Sequence, residues 1–159
     1  MIVSDTGPII AFARLGRLSL LCQLFDVLII PEAVFDELVR SGSDQPGAPE
    51  AIQGEWIQRR AITDPEAVAQ LPPRLHAGER EALVLAHGHG TRVLIDEQRG
   101  RAAARAMGLE PVGSLGVLAE AKALGLIPAV RPIVEELQAI RYWIEQSIIR
   151  DFLEEMGEA

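Results

Sequence analysis

Residues 1–10 read MIVSDTGPII, and this short stretch predicts the class of the fold. An apolar run of strand length, over residues 1–5, ends at Asp5, and Gly7-Pro8 follows almost at once. Because Pro is favoured in the first turn of a helix, the stretch indicates a buried strand that passes directly into a helix over 8–15. Ligands of open α/β sheets bind where strands end, so Asp5 is a candidate functional residue. The alternative is that Asp5 or Thr6 caps the helix.

The same succession of strand and helix recurs along the chain. The continuous apolar run 27–30 is typical of a strand buried on both faces, and Pro31 starts the next helix. Further strands are predicted from Trp56 to near Ile62, over 91–95 and at Pro111-Val112. Further helices are predicted over 18–25, 79–86, 98–107, 114–124, 131–140 and 144–156, with a Gly/Ser/Pro-rich loop over 41–49. This alternation predicts a three-layer α/β/α sandwich with a mainly parallel central sheet.

The bulk composition is that of a globular protein. The 159 residues are 48% hydrophobic and 24% charged, which suits a single domain over 1–159 with a real core. The helices over about 131–156 are expected to pack on this domain or on a second subunit, and a chain of this kind is expected to be a homodimer. Aromatic residues make up only 4%, which predicts an aliphatic core and argues against a platform that stacks single-stranded bases.

The net charge of −8 opposes nucleic-acid binding at first sight, because Lys and Arg make most phosphate contacts. Bound divalent cations would offset part of that charge. Cys22 is the only cysteine, so neither a disulfide within the chain nor a cysteine zinc site is expected. With no basic leader and no apolar run of about 18 residues, we expect a cytoplasmic protein without a membrane span.

The clearest functional signal is a set of acids at strand ends and helix starts, which comprises Asp5, Glu37, Glu79, Glu81, Asp96 and Glu97. Asp5 and Asp96 follow strands that should end at the same edge of a parallel sheet, and helices carrying Glu37 and Glu81 could lean over that edge. Converging carboxylates repel one another unless a cation is present. Hard oxygen ligands without His or Cys suit Mg²⁺ or Mn²⁺. The chemistry this predicts is phosphodiester hydrolysis by a metal-activated water. The alternative is that the acids cap helices and solvate the surface.

Five stretches in this order resemble the PIN domain, a small metal-dependent ribonuclease fold. They are VSDTGPII at 3–10, IPEAVFDEL at 30–38, GEREAL at 78–83, VLIDEQRGR at 93–101 and GSLGVL at 113–118. The resemblance covers nearly the whole chain and is nearest to stand-alone prokaryotic PIN proteins. It implies an Mg²⁺- or Mn²⁺-dependent endoribonuclease acting on RNA, as the toxin of a type II toxin–antitoxin pair with an antitoxin protein as partner. The alternative is a non-catalytic PIN-like module that binds nucleic acid or protein.

The resemblance also implies roles for individual residues. Asp5, Glu37, Glu81 and Asp96 would be the catalytic metal ligands, while Glu79 could replace Glu81 and Glu97 could replace Asp96. The chain departs here from the commoner pattern of Thr or Ser, any residue, then Asp, because it has Ile95-Asp96-Glu97. Thr6 would orient Asp5 or a bound water. Arg99 and Arg101 would hold substrate phosphate or pair with local acids.

Other motifs are weaker indications of a functional site. His87-Gly88-His89 provides too few ligands for a closed metal site and suits a solvated helix end. Gly113-Ser114-Leu115-Gly116 lacks the Lys of a phosphate loop, so we expect a tight turn with Ser114 as a helix cap. An aspartyl-phosphate on Asp5 is disfavoured because position 7 is Gly, where that chemistry usually has a second Asp.

Overall fold

Five short parallel strands form one sheet in the computed structural model, which describes residues 1–40, 42 and 44–159. The strands are β1 (Ile2–Ser4), β2 (Leu28–Pro31), β3 (Ile57–Arg60), β4 (Val93–Leu94) and β5 (Pro111–Val112). Their order across the sheet is β3-β2-β1-β4-β5, so β1 is central. In the register of the sheet, Val3 lies opposite Ile29 on one side and opposite Val93 on the other.

Helices cover both faces of the sheet. Within the described residues they are α1 (Thr6–Arg14), α2 (Leu18–Phe25), α3 (Glu32–Val39), α4 (Ala48–Gln53), α5 (Pro65–Gln70), α6 (Ala77–His89), α7 (Gln98–Ala106), α8 (Ser114–Ala123), α9 (Arg131–Ala139) and α10 (Gln146–Glu155). This arrangement confirms the predicted three-layer α/β/α sandwich, and every pairing between strands is parallel.

The hydrophobic core is divided between the two faces by the alternation of side chains along each strand. Ile2, Leu28 and Leu94 point into the larger cluster, which is built with α1, α2, α3 and α8. Val3, Ile29 and Val93 point to the opposite cluster, against α6 and α7. The buried apolar residues of α9 and α10 belong to the larger cluster, so these two helices pack on the rest of the chain.

Glu158, after α10, makes contacts with two earlier helices, α8 and α9. Its carboxylate accepts hydrogen bonds from Lys122 Nζ (2.7 Å) and from the backbone N–H groups of Val130 and Arg131, at the start of α9. These contacts lower the pKa of Glu158 to about 2, with the Lys122 hydrogen bond as the largest cause. The α8, α9 and α10 helices are therefore held together by one carboxylate.

The structure differs from the sequence-based expectations at α4, α5, β3 and the start of α8. The predicted loop over 41–49 ends sooner, because α4 begins at Ala48 with Pro49 in its first turn; Ser41 and Ser43 lie outside the described residues. The α5 helix was not predicted, and β3 ends at Arg60 instead of near Ile62. Asp64 caps α5 by accepting a hydrogen bond from the Ala67 N–H at 3.0 Å. Ser114 is also not the cap that we expected, because Gly113 occupies that position of α8.

Candidate active site

Asp5 and Asp96 follow two strands that are neighbours in the sheet, β1 and β4. The chain runs from β1 to β2 on one side and later crosses to β4 on the other, so the strand order reverses between β1 and β4. Such a switch point leaves a crevice outside the carboxyl ends of the strands, and this crevice is where open α/β sheets bind ligands. The two acids that the sequence placed at strand ends are thus brought to one crevice.

The Asp5 carboxyl group is less acidic than an ordinary aspartate. Its pKa is raised from 3.8 to about 7, chiefly by burial, and further by the charges of Glu79, Glu37 and Asp96; the Thr6 backbone N–H opposes the rise. Although Asp5 occupies the capping position of α1, its side chain makes no capping hydrogen bond. The capping alternative therefore does not account for Asp5, while its three acidic neighbours indicate a site that favours a cation.

Glu37 faces Asp5 across the space left open by a glycine. A Cβ atom on Gly78 would lie 3.3 Å from Asp5 Oδ1 and 3.5 Å from Glu37 Oε2, so both carboxylates point to the same small volume. The buried Thr6 hydroxyl donates a hydrogen bond to Glu37 Oε2 at 2.8 Å. The sequence had led us to expect that Thr6 would orient Asp5 or a bound water. In the structure its hydroxyl orients Glu37.

Glu79 is buried, with 4% of its surface exposed. Its Oε2 atom accepts a hydrogen bond from the His76 N–H at 2.8 Å, which fixes the carboxylate at the start of α6. Of the acids that raise the pKa of Asp5 by their charge, Glu79 has the largest effect. Between the two glutamates that the sequence left open, the structure brings Glu79 to Asp5.

Glu81 is not brought into this cluster. Its Oε2 atom accepts a hydrogen bond from the Ala33 N–H at 2.9 Å, in the first turn of α3. The physical reason is the rotation between neighbouring positions of α6: residues two apart on a helix point in different directions. We had expected Glu81 to supply the third acid of the cluster. Its carboxylate instead lies at the amino end of α3, where an anion is favourable.

Asp96 is held on both carboxylate oxygens. Ser114 donates from its backbone N–H to Oδ1 (2.7 Å) and from its hydroxyl to Oδ2 (2.6 Å), and the Tyr142 hydroxyl also donates to Oδ2. Burial raises the pKa of Tyr142, and Asp96 raises it further, so this phenol stays a hydrogen-bond donor. Asp96 thus has a fixed orientation beside Asp5.

The basic residues of the VLIDEQRGR stretch take two different positions. Arg101 lines the crevice and donates to the Ile95 carbonyl at 3.2 Å, while Arg99 is exposed. Burial lowers the pKa of Arg101, and Arg105 lowers it further, while Asp96 opposes the change. A Cβ atom on Gly113 would lie 2.9 Å from both Arg101 Nη1 and Asp96 Oδ1, so a larger residue at position 113 would displace one of these side chains. Glu97 is exposed at the rim of the crevice.

A hard divalent cation fits the donor atoms of this site. Asp5, Glu37, Glu79 and Asp96 offer oxygen atoms only, which is the donor type preferred by Mg²⁺ and Mn²⁺. Across residues 1–40, 42 and 44–159, no three His, Cys, Asp or Glu side chains stand close enough together to ligate one ion. Mg²⁺ usually keeps several waters and uses only one or two carboxylates, so the open spacing suits a hydrated ion.

The crevice widens into a cleft of about 720 Å³, part of which the sequence did not reveal. Tyr142 and Trp143 line it together with Asp5 and Asp96. Tyr142 is the only tyrosine and Trp143 one of two tryptophans, so the Tyr-Trp pair in an aromatic-poor chain was the available signal. Gly78 belongs to the GEREAL sequence, but its place between Asp5 and Glu37 follows only from the folded structure. His87 and His89 are exposed at the end of α6, apart from the cleft.

A family model described as a PIN domain matches residues 1–158. No curated protein and no solved structure matches the chain. Among the helices that the structure describes, none combines the length and the apolar character needed to cross a membrane.

Proposed function

The chain belongs to the PIN-domain family, which commonly comprises metal-dependent nucleases, and we propose that it is an Mg²⁺- or Mn²⁺-dependent endoribonuclease. The observation that carries the proposal is the Asp5 carboxyl group, which lies at the switch point of the sheet with its pKa raised to about 7 among three other acids. Four carboxylates are held together there against their mutual repulsion. A bound cation would relieve that repulsion.

Four acids have separate roles in this proposal. Asp5, Glu37 and Glu79 would hold a hydrated cation, one or two of them directly and the rest through its bound waters. Asp96 provides a further carboxylate whose orientation is set by Ser114 and Tyr142. When bound, the cation supplies activation of the attacking water and stabilises the charge that develops on the phosphate. Thr6 keeps Glu37 in place through its 2.8 Å hydrogen bond.

The substrate in this proposal is the phosphodiester backbone of RNA. Water adds to phosphorus, the bond from phosphorus to one ester oxygen breaks, and that oxygen leaves as an alcohol after taking up a proton. Arg101 lines the same cleft as Asp5 and Asp96, so its guanidinium can hold a phosphate oxygen; Arg99, on the exposed side of α7, can contact the strand farther out. Glu81 and Glu97 are left out of the ligand set because of their positions.

Cleavage of a labelled RNA with Mg²⁺, with Mn²⁺ and with EDTA tests the proposal. We expect metal-dependent cleavage by the wild type and a loss of at least about 100-fold in Asp5→Asn and Glu79→Gln, because each removes a charge that holds the cation. Glu81→Gln tests whether Glu81 or Glu79 serves the site. Because Glu81 lies outside the cluster, this variant should retain most of the cleavage activity. The matched control is Asp151→Asn, an exposed acid on α10. Calorimetric titration with Mn²⁺ provides a second measurement that does not depend on turnover.

Two results would contradict this function. If the wild type binds neither cation and cleaves no RNA, the nuclease proposal is wrong and a non-catalytic binding module takes its place. If cleavage is equal in wild type and Asp5→Asn, another site performs the reaction.

The cellular role is part of the same proposal. A cytoplasmic ribonuclease of this kind acts as the toxin of a toxin–antitoxin pair, as a homodimer that an antitoxin protein inhibits. Growth arrest on expression of the wild type, but not of Asp5→Asn, supports the toxin role. Light scattering on the purified chain measures the oligomeric state, and a monomer at micromolar concentration contradicts the homodimer.

A further inference from the structure

Residues 141–145, between α9 and α10, form a segment that we name the strap. The α9 helix ends in a tight turn in which the Tyr142 N–H donates to the Leu137 carbonyl at 3.1 Å, and Arg141 takes a φ of 59°. Tyr142 and Ile144 pack against the larger hydrophobic cluster, whereas Trp143, between them, is 83% exposed. The alternation of side chains along the strap thus directs one indole ring outward.

The strap is fastened to the candidate active site. The Tyr142 hydroxyl donates to Asp96, and it also lies 3.1 Å from the position that a Cβ atom on Gly7 would take, at the start of α1. Trp143 lines the same cleft of about 720 Å³ as Asp5 and Asp96. The anchored Tyr142 therefore holds this part of the strap, and with it Trp143, at the cleft that contains the carboxylates.

The fold does not require a tryptophan at position 143. Of the large hydrophobic side chains in the described part of the chain, Trp143 has the highest exposed fraction, above Leu124 at 68%. An indole has a broad π face that stacks on nucleobases and other aromatic rings. An exposed indole at the rim of a cleft with the volume of a small-molecule site indicates a position for a flat ring.

The charge of the cleft decides which part of an RNA strand fits next to the strap. Asp96, Glu97 and Glu145 line the same cleft as Trp143, and Arg101 is a positively charged residue among them. A phosphate held there would face several carboxylates, whereas a nucleobase carries no charge and gains from stacking. An unpaired base offers its face to a side chain, which a base inside a duplex does not.

We propose that Trp143 is a stacking position for an unpaired nucleobase next to the phosphodiester that reaches Asp5. The identity of the ligand as RNA rests on the proposed function. A single stacking position agrees with the low aromatic content, which had argued against a platform of several rings. Tyr142 has a different part, because it positions the strap.

The two tryptophans of the chain allow a direct test by fluorescence. In a Trp56→Phe, Asp5→Asn protein the emission reports Trp143 alone, and the RNA should remain uncut. Titration with a single-stranded RNA octamer in Mg²⁺ should quench this emission to saturation, and the same sequence as a duplex should quench it far less. In the Asp5→Asn background, Trp143→Ala should weaken octamer binding about tenfold by anisotropy, whereas Trp143→Phe should retain most of the affinity. Leu124→Ala, another exposed apolar change, should have no effect.

The possible results separate this inference from the proposed function. Cleavage by the wild type without quenching of Trp143 overturns the stacking position and leaves the nuclease. Quenching by the octamer without cleavage in Mg²⁺ or Mn²⁺ supports the stacking position and contradicts the nuclease. Equal quenching by duplex and single strand overturns the preference for an unpaired base.

Discussion

At the scale of single residues, Asp5 combines a proposed role in metal binding with an expected cost to stability. Its carboxyl group is half-buried among three acids, so Asp5→Asn removes a charge that the metal-free fold accommodates poorly. At pH 8 in EDTA we expect the variant to be more stable by about 1–2 kcal/mol, a rise in Tm of about 5 °C. Thermal unfolding by circular dichroism measures this difference. A lower Tm would mean that the carboxylate stabilises the fold.

Tyr142 offers a second test at this scale. Tyr142→Phe keeps the ring packed and removes only the hydroxyl that donates to Asp96, so we expect a loss of about 1.5–3 kcal/mol, the usual range for a hydrogen bond to a charged group. Urea denaturation provides the value. In the Asp96→Asn background the same change should cost less, because the charged acceptor is gone; equal losses in both backgrounds would contradict the contact.

The positions of Asp5 and Asp96 could be predicted because each follows an apolar strand, and strand ends meet at one edge of a parallel sheet. The choice between Glu79 and Glu81 could not be made, since both lie on α6 and only the rotation of α6 against β1 separates them. Tyr142 was missed for a related reason. It is in a loop 46 residues after Asp96, and no local pattern records that contact.

At the scale of elements, the packing of α7 on β4 depends on Gly100. A Cβ atom there would clash with Ile95 Cδ1, and Ile95 is fully buried. We therefore expect Gly100→Ala to destabilise the protein by about 1–3 kcal/mol through overpacking. Ile95→Val removes the clashing methyl group, so the double variant should lose less than the sum of the two single changes. Strict additivity in urea denaturation would contradict this account.

The elements themselves were largely predictable, for physical reasons that also explain the exceptions. Strands such as β2 are continuous apolar runs, and α7 ends before Gly108, which adopts the positive φ typical of a helix end. The α4 and α5 helices each have only six residues, too few for a hydrophobic period. Their signals were Pro49 and Pro65 in the first turns and the Asp64 cap.

At the scale of the whole molecule, Glu158 connects three helices and should make part of the stability depend on pH. Its pKa is about 2 in the folded protein, below the ordinary value of 4.5, so its contribution is present above pH 4.5 and is lost as the pH falls through 2. Glu158→Gln should lower Tm at pH 6. The difference from the wild type should shrink steadily between pH 4.5 and 2, and a difference independent of pH would contradict this role.

The position of β1 at the centre of the sheet has a consequence for synthesis on the ribosome. The strand that is made first, Ile2–Ser4, has hydrogen-bonded neighbours on both sides, and one of them, β4, is made about 90 residues later. Until Val93 and Leu94 emerge, one edge of β1 has no strand beside it, and α6, which covers Val3, has only just been made. Nascent chains that stop before β4 therefore expose an unpaired apolar strand, which is the form in which a growing polypeptide binds chaperones or aggregates.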